Sequence, residues 1–339
     1  MIGRIGIVAG LVALVAAGQA LAGETLDKVR QRGYLQCGVS EGLPGFSNPD
    51  DKGNWRGLDV DYCRALAAAV FGDASKVRFT PLSAKQRFEV LRAGDIDVLS
   101  RNTTWTQSRD TALQFEFVGV MFYDGQGFIV KKSSNVMQAK ELDGATICLN
   151  IGSSTELNLA DFFRANNMKY TPVQFERSDE AFAAYVSDRC DAYTTDQSGL
   201  IAQRSRAADP KAHVILSDVI SKEPLGPMFR EGDAEWINIG RWTFNALLNA
   251  EEMGVASGNV EELRAKSENP EIKRLLGTEG QFGKNMGLSE SWAFDIVKQV
   301  GNYGEIFDRN LGAGSPLLVE RGLNRLWING GLQYAPPVR

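Results

Sequence analysis

Apolar positions recur at helical spacing in some stretches of this chain and as short unbroken runs in others. Val60, Cys63, Leu66, Ala67 and Val70 fall on one face of a helix for which Asp59 is a candidate cap. Thr25 stands where it can cap a shorter helix that ends at Gly33. Short apolar runs at 34–39, 77–81, 98–100 and 127–130 predict strands. The same order restarts near residue 142, where strands at 146–150 and 173–176 flank a helix that opens at Gly152-Ser153-Ser154-Thr155 and runs to about 166. Strands alternating with helices of this length predict parallel sheets joined by right-handed crossovers. Residues 40–55 are rich in Gly, Pro, Asn and Asp and read as a loop, with a hairpin turn at 53–57. Past residue 228 the pattern becomes mostly helical. A long helix over 234–252 carries Trp236, Ile239, Trp242, Phe244 and Leu247 at its apolar positions. A new segment starts at Asn269-Pro270, another helix covers 289–300, and the Gly- and Pro-rich tail from 330 to 339 is irregular.

Two segments share one layout. In the first, Phe88 begins an amphipathic stretch, Asp97 follows nine residues later, and a short strand leads to Asn102-Thr103-Thr104 and then Arg109. In the second, Phe182 precedes Asp191 by the same nine residues, and a strand leads to Asp196. The first polar cluster ends in a cation and the second in an anion. Together they suit an α-carboxylate and an α-ammonium, which every free amino acid carries. A generic helix–strand unit produces the same spacing, so the repeat by itself does not establish kinship between the halves.

Length and charge narrow the field. The chain has 339 residues, room for two domains. Its formal net charge is −5 without a long basic run, which argues against nucleic acid as a partner. Residues 1–22 carry Arg4, an apolar run and Ala20-Leu21-Ala22, the layout of a signal peptide cleaved after Ala22. An uncleaved anchor is the alternative. No cysteine follows that site to take a lipid, and the mature protein is expected to be exported and soluble. Four cysteines remain, Cys37, Cys63, Cys148 and Cys190, at spacings unlike a zinc site. Four buried free thiols are one reading. In an oxidising compartment three disulfide pairings are open. Cys37–Cys63 with Cys148–Cys190 keeps each bond within one candidate lobe.

Catalytic chemistry is thin. The single histidine, His213, follows Asp209-Pro210 in a polar stretch and reads as a surface residue. The sequence contains neither G-x-S-x-G nor H-E-x-x-H, and no glycine-rich phosphate loop. Asp50, Asp51 and Asn54 lack the glutamate that closes a calcium loop, so neither a metal nor a cofactor is expected. Binding chemistry is richer. Arg109, with Thr104 and Thr106, follows a strand, and open α/β sheets bind ligands beyond the carboxyl ends of their strands. The start of the helix at Ser154 and Thr155 offers free N–H groups to an anion, or else a simple cap. Asp196 ends a strand of apolar and hydroxylic residues, where a carboxylate is buried and needs a cation; capping the next helix is its other possible role.

These residues carry a family resemblance. Thr25 to Leu35, Gly57-Leu58-Asp59-Val60-Asp61, Gly94-Asp95-Ile96-Asp97, Thr104 to Arg109 and Gly152 to Glu156 resemble the bacterial periplasmic solute-binding proteins for polar amino acids, family 3. The strings Asp124 to Phe128, Cys190 to Asp196, Gln299 to Glu305 and Gly331 to Pro337 resemble the branch that serves broad-specificity importers of general L-amino acids. The resemblance implies an α/β, two-lobed periplasmic binding protein fold. Each lobe would be a mixed, mostly parallel sheet flanked by helices, with two hinge crossings near 123–127 and 225–229. Lobe one would comprise 23–124 and 229–339, the latter with a helical extension, and lobe two 125–228. Arg109 then matches the clamp for the α-carboxylate, Thr104 the hydroxyl beside it, and Ser154 a donor from lobe two. Asn102 supplies a carbonyl to the ammonium, and Asp196 matches its carboxylate. Arg87 matches an arginine that reads acidic side chains. Leu43 and Ala84 stand where some relatives stack aromatic rings, which implies a less patterned pocket. A periplasmic monomer that passes free L-amino acids to an ABC permease is the expectation. An enzyme of the cyclohexadienyl dehydratase type is the rival, with Glu41 or Glu156 as its acid.

Overall fold

The structure, a computed structural model, describes residues 23–339. The signal-peptide expectation for residues 1–22 therefore lies outside the described residues.

Two five-stranded mixed sheets organise the chain. In the first, Leu35–Ser40 lies between Val77–Leu82 and Val98–Leu99, parallel to both. Met228–Arg230 joins antiparallel to Val98–Leu99 and carries the edge strand Phe115–Phe117. In the second, Thr146–Asn150 lies between Thr171–Phe175 and Ala192–Asp196, parallel to both. Gln126–Lys131 and His213–Ile215 complete that sheet in antiparallel register. The predicted strands form, with ends shifted by a residue or two. The helix over Ala234–Glu252 forms with the bounds its apolar pattern predicts.

The twin segments occupy equivalent places. Asp97 accepts the N–H of Gln36 at 2.7 Å through its carboxylate and donates its own N–H to the Gln36 carbonyl at 2.8 Å. Asp191 does the same with Thr146, at 2.7 and 2.8 Å. Each aspartate thus pins the turn before its strand to the start of the parallel strand beside it. Both disulfides also start from these two strands, Cys37 to Cys63 and Cys148 to Cys190. On the chain-entropy account, loops of this size contribute about 3–4 kcal/mol each.

The helices past residue 233 pack back on the first sheet's side. Trp236, Leu247, Trp292 and Phe307 share one core with Val39, Cys63 and Leu66. The indole N–H of Trp236 donates to the Asp97 carbonyl at 3.0 Å. A separate core fills the second sheet around Phe128, Leu149 and Phe163.

Two crossings join the sheets. They pair as Phe122–Asp124 against Glu223–Leu225, antiparallel, slightly upstream of the segments expected from resemblance. Gly226 follows the second crossing, where a Cβ would stand 2.0 Å from the Gly119 carbonyl oxygen; only a glycine permits this approach. The C-terminal tail is tied to the first crossing. Asn324 accepts the Tyr123 N–H at 2.7 Å and donates to its carbonyl at 3.1 Å. Gln333 donates to the Val120 carbonyl at 3.0 Å. Asn324→Ala strands both backbone groups of Tyr123. It is expected to cost about 1–3 kcal/mol, read as a lowered urea midpoint with an unchanged slope.

Several local readings are corrected. The first helix spans Glu24–Arg32 with Gly23 at its cap position, and Thr25 lies inside it. The Thr25 N–H is taken by the Asp233 carboxylate, 208 residues away, at 3.0 Å. Gly33 ends this helix in the left-handed conformation its position requires. Asp59 likewise lies inside the helix Leu58–Phe71, behind Gly57, and caps nothing. The 40–55 loop contains a short pairing of Asn48–Pro49 with Trp55–Arg56, which makes 53–57 part of a hairpin. His213 is buried, its Nδ1 2.8 Å from the Tyr185 hydroxyl, because it starts an edge strand whose flank is covered by the helix Ser178–Val186. Burial lowers its pKa.

Candidate functional site

A cleft between the two sheets encloses about 630 Å³ of empty space, its open mouth included. Its walls are the segments that follow the parallel strands, as the fold rule requires. From the first sheet come Glu41 and Leu43, then Ala84 and Arg87, then Arg101, Asn102 and Thr104. From the second come Asn150, Ser154 and Thr155, then Arg177 and Asp179, then Asp196. Six of the seven residues singled out from sequence therefore meet in one cleft. The seventh, Arg109, stands one layer behind. Its Nη1 donates to the Thr104 carbonyl at 2.7 Å, and its guanidinium lies over the Phe88 ring. Burial depresses its pKa to about 10, with Glu223 and Asp196 opposing the shift.

Asp196 ends the strand Ala192–Asp196, and its Oδ1 is buried without a hydrogen-bond partner. Although it occupies the cap position of the helix Gln197–Arg204, its side chain makes no capping bond. Burial raises its pKa well above the ordinary carboxylate range. Asp124 and Glu223 push it further, against Arg87 and Arg109. A carboxylate in this setting lacks a cation.

Asn102 follows the strand Val98–Leu99 with a positive φ of 31°. That turn is held by Asp59, which accepts the Asn102 N–H at 2.9 Å and the Ser100 hydroxyl at 3.1 Å. Asp59 is thus a supporting residue of the site. Its burial raises its pKa to about 7. The helix Ser154–Ala165 is capped by Ser153, whose hydroxyl accepts the Glu156 N–H at 3.2 Å. Thr155 is buried beside it, its hydroxyl 2.8 Å from that of Ser153. Glu156 returns the cap through the Gly152 N–H at 2.9 Å and also takes Gln174, so it is occupied away from the cleft and is removed as a candidate acid.

Sequence reasoning missed Glu223. It lies on the second crossing and is buried. One of its oxygens accepts the hydroxyls of Thr104 at 2.5 Å and Ser154 at 3.0 Å, and the other accepts Asn158 at 2.5 Å and Ser221 at 2.7 Å. Thr104 and Ser154 are themselves 2.9 Å apart, so the two sheets' polar clusters touch at this carboxylate. The only signal in the sequence was an acidic residue directly before a proline, which is common in loops. Arg101 was also missed. At the rim, Arg177 of the second sheet's side reaches Glu41 of the first at 3.5 Å and Asp179 at 2.7 Å.

A model of the bacterial extracellular solute-binding proteins, family 3, matches residues 35–259. The chain belongs to this family. As a family 3 solute-binding protein it has full-length relatives. The general L-amino acid-binding periplasmic protein AapJ of Rhizobium johnstonii is 55% identical over 97% of this chain and 97% of its own. The glutamate/glutamine/aspartate/asparagine-binding protein BztA of Rhodobacter capsulatus is 52% identical with the same coverage of both. Among solved structures, a periplasmic binding protein of an ABC transporter from Brucella ovis, with glutathione bound, superposes with a TM-score of 0.91. It is 58% identical and is matched over 93% of this chain and 99% of that one. These matches extend through the helical tail beyond residue 259, which lies outside the family model. No helix among the described residues is long and apolar enough to cross a membrane.

Proposed function

We propose that this protein captures free L-amino acids in the periplasm, polar and acidic ones above all, and delivers them to an ABC permease of the inner membrane. The observation that carries this reading is the cleft's opposed pair of unmet charges. Buried arginines lie on the first sheet's side, and the unpartnered Asp196 carboxylate lies on the second's. Arg109 takes the α-carboxylate, with Thr104 and Ser154 beside it. Asp196 and the Asn102 carbonyl take the α-ammonium. Arg87 faces acidic side chains, and Thr155 lies at the helix start on the opposite wall. The lobes that go with this reading are 23–124 with 229–339, and 125–228. Removal of residues 1–22 releases the mature chain, which works as a monomer. No bond is made or broken.

Because the anchors stand on different lobes, a ligand meets both only in the closed cleft, and closure follows from that difference in affinity. Micromolar binding corresponds to about −8 kcal/mol. Two charge-assisted anchors at about 1.5–3 kcal/mol each, with apolar contacts from Leu43 and Ala84, reach this without a shaped side-chain pocket. The test is a thermal-shift screen of the purified protein against all amino acids, with decarboxylated and deaminated analogues alongside. Several polar amino acids are expected to raise the melting temperature, and the analogues are not. An analogue that shifts it as far as its parent amino acid overturns the assignment.

A further inference from the structure

We propose that Arg101 is a second anion anchor, which makes the preferred ligands α-amino acids that carry a second carboxylate. This deepens the amino-acid reading above and rests on it for the first anchor.

Three buried arginines, Arg87, Arg101 and Arg109, converge on the first sheet's side of the cleft. Among the described residues none of them has a carboxylate oxygen within 4.0 Å. Of the carboxylates nearby, only Asp196 is uncommitted; it attracts all three from the second sheet's side of the cleft, beyond ion-pair distance. Glu223 is filled by four donors. Asp59 holds Asn102 and Ser100. Glu41 pairs with Arg177. Arg87 feels both other arginines as repulsion, which adds to the desolvation that lowers its pKa. A buried cation without a bonded counterion is costly, and the attraction these arginines feel from Asp196, Glu223, Asp59 and Glu41 acts without a direct ion pair.

The hydrogen bonds separate the three. Arg109 reaches no further than the Thr104 carbonyl and stands behind the wall. Arg87 spends an Nη on the Thr103 hydroxyl at 3.2 Å, and its Nε is sealed in without a partner. Arg101 uses only its Nε, donating to the Leu82 carbonyl at 3.0 Å. Its two Nη groups make no hydrogen bond among the described residues, and they are absent from the fully enclosed, unpartnered atoms. Of the two arginines on the wall, it alone keeps both Nη groups uncommitted, the pair that grips a carboxylate in bidentate fashion. Fixing the Nε on a backbone carbonyl orients that pair. Leu43 and Ala84 line the same side of the cleft and offer a side chain no polar alternative.

The test is calorimetric titration of glutamate and glutamine, which differ only in the second carboxylate, into wild type and Arg101→Gln. Wild type is expected to prefer glutamate. In Arg101→Gln the glutamate affinity should fall roughly 10- to 100-fold, while glutamine changes less than about threefold. Arg101→Lys keeps the charge and loses the fork; it should give an intermediate loss for glutamate alone, and it serves where the Gln variant does not fold. Equal losses for both ligands, or an unchanged glutamate affinity, overturn the role of Arg101 while leaving the amino-acid reading intact. Failure of wild type to bind either ligand overturns that reading instead.

Discussion

Asp196→Asn is expected to weaken amino-acid binding by about 2–5 kcal/mol and, in the same protein, to stabilise the unliganded fold. The first effect follows from removing the charge opposite a desolvated ammonium. The second follows from what the carboxylate does without ligand. Its Oδ1 is buried and unpartnered, and Asp124 and Glu223 crowd it with like charge. An asparagine of the same shape removes that penalty. Calorimetric titration reads the affinity and thermal denaturation of the unliganded protein reads the stability. An unchanged affinity would remove Asp196 from the ammonium site.

The same carboxylate sets a pH dependence. Its folded pKa lies above the unfolded value, so the folded state binds the extra proton between the two. Stability from this group is present below the ordinary Asp pKa and is lost as pH rises through the folded value. Asp124, raised to about 6, and Asp59, raised to about 7, act in the same direction. The unliganded protein should therefore lose stability between about pH 4 and 7. Ligand binding should release a proton wherever the unliganded Asp196 still holds one, since an ammonium beside it favours its charged form. Titrations in buffers of different ionisation enthalpy measure that proton, and Asp196→Asn should abolish its share.

Arg109→Ala is expected to cost about 2–5 kcal/mol of amino-acid affinity, because it leaves the α-carboxylate desolvated without its cation. The structure makes this a demanding test. Arg109 stands behind Thr104 and reaches the Thr104 carbonyl, not the cleft wall. For it to serve as the clamp, the ligand must draw the guanidinium past that carbonyl. Unchanged affinity in the alanine variant would pass the α-carboxylate to Arg87 or Arg101, which line the cleft directly. Losses of similar size for glutamate and glutamine separate this role from the selective one assigned to Arg101.

Much of the fold was legible because its signals are local. The alternation of strand and helix places 146–150 and 234–252 correctly, since period and capping depend on near neighbours. The twin spacing from Phe88 to Asp97 and from Phe182 to Asp191 is more than a generic unit here. Both aspartates make the same pair of bonds to the parallel strand beside their own. The cleft was legible where it lies at strand ends, which is why Thr104, Ser154 and Asp196 could be placed on its walls, while Asn102 was placed there by family resemblance. The misreadings share one cause. Thr25 and Asp59 look like caps to a local rule, but their partners are Asp233 and the Ser100–Asn102 turn. His213 looks exposed because its covering helix lies elsewhere in the chain.

The sequence by itself determined the two α/β halves, their opposite terminal charges, and the order of elements that makes a cleft between them. These depend on periodicity and on residue type at strand ends. Only the tertiary structure decided how the charges are shared. Glu223 reaches both lobes because the second crossing passes between Thr104 and Ser154. The Nη groups of Arg101 stay uncommitted because Asp59 and Glu41 have other partners. Arg109 and Asp196, which looked like one pair of opposite charges, lie at different depths, Arg109 behind Thr104 and Asp196 on the cleft wall. Distances across a cleft are set by packing between segments 50 or more residues apart, and no local pattern encodes them.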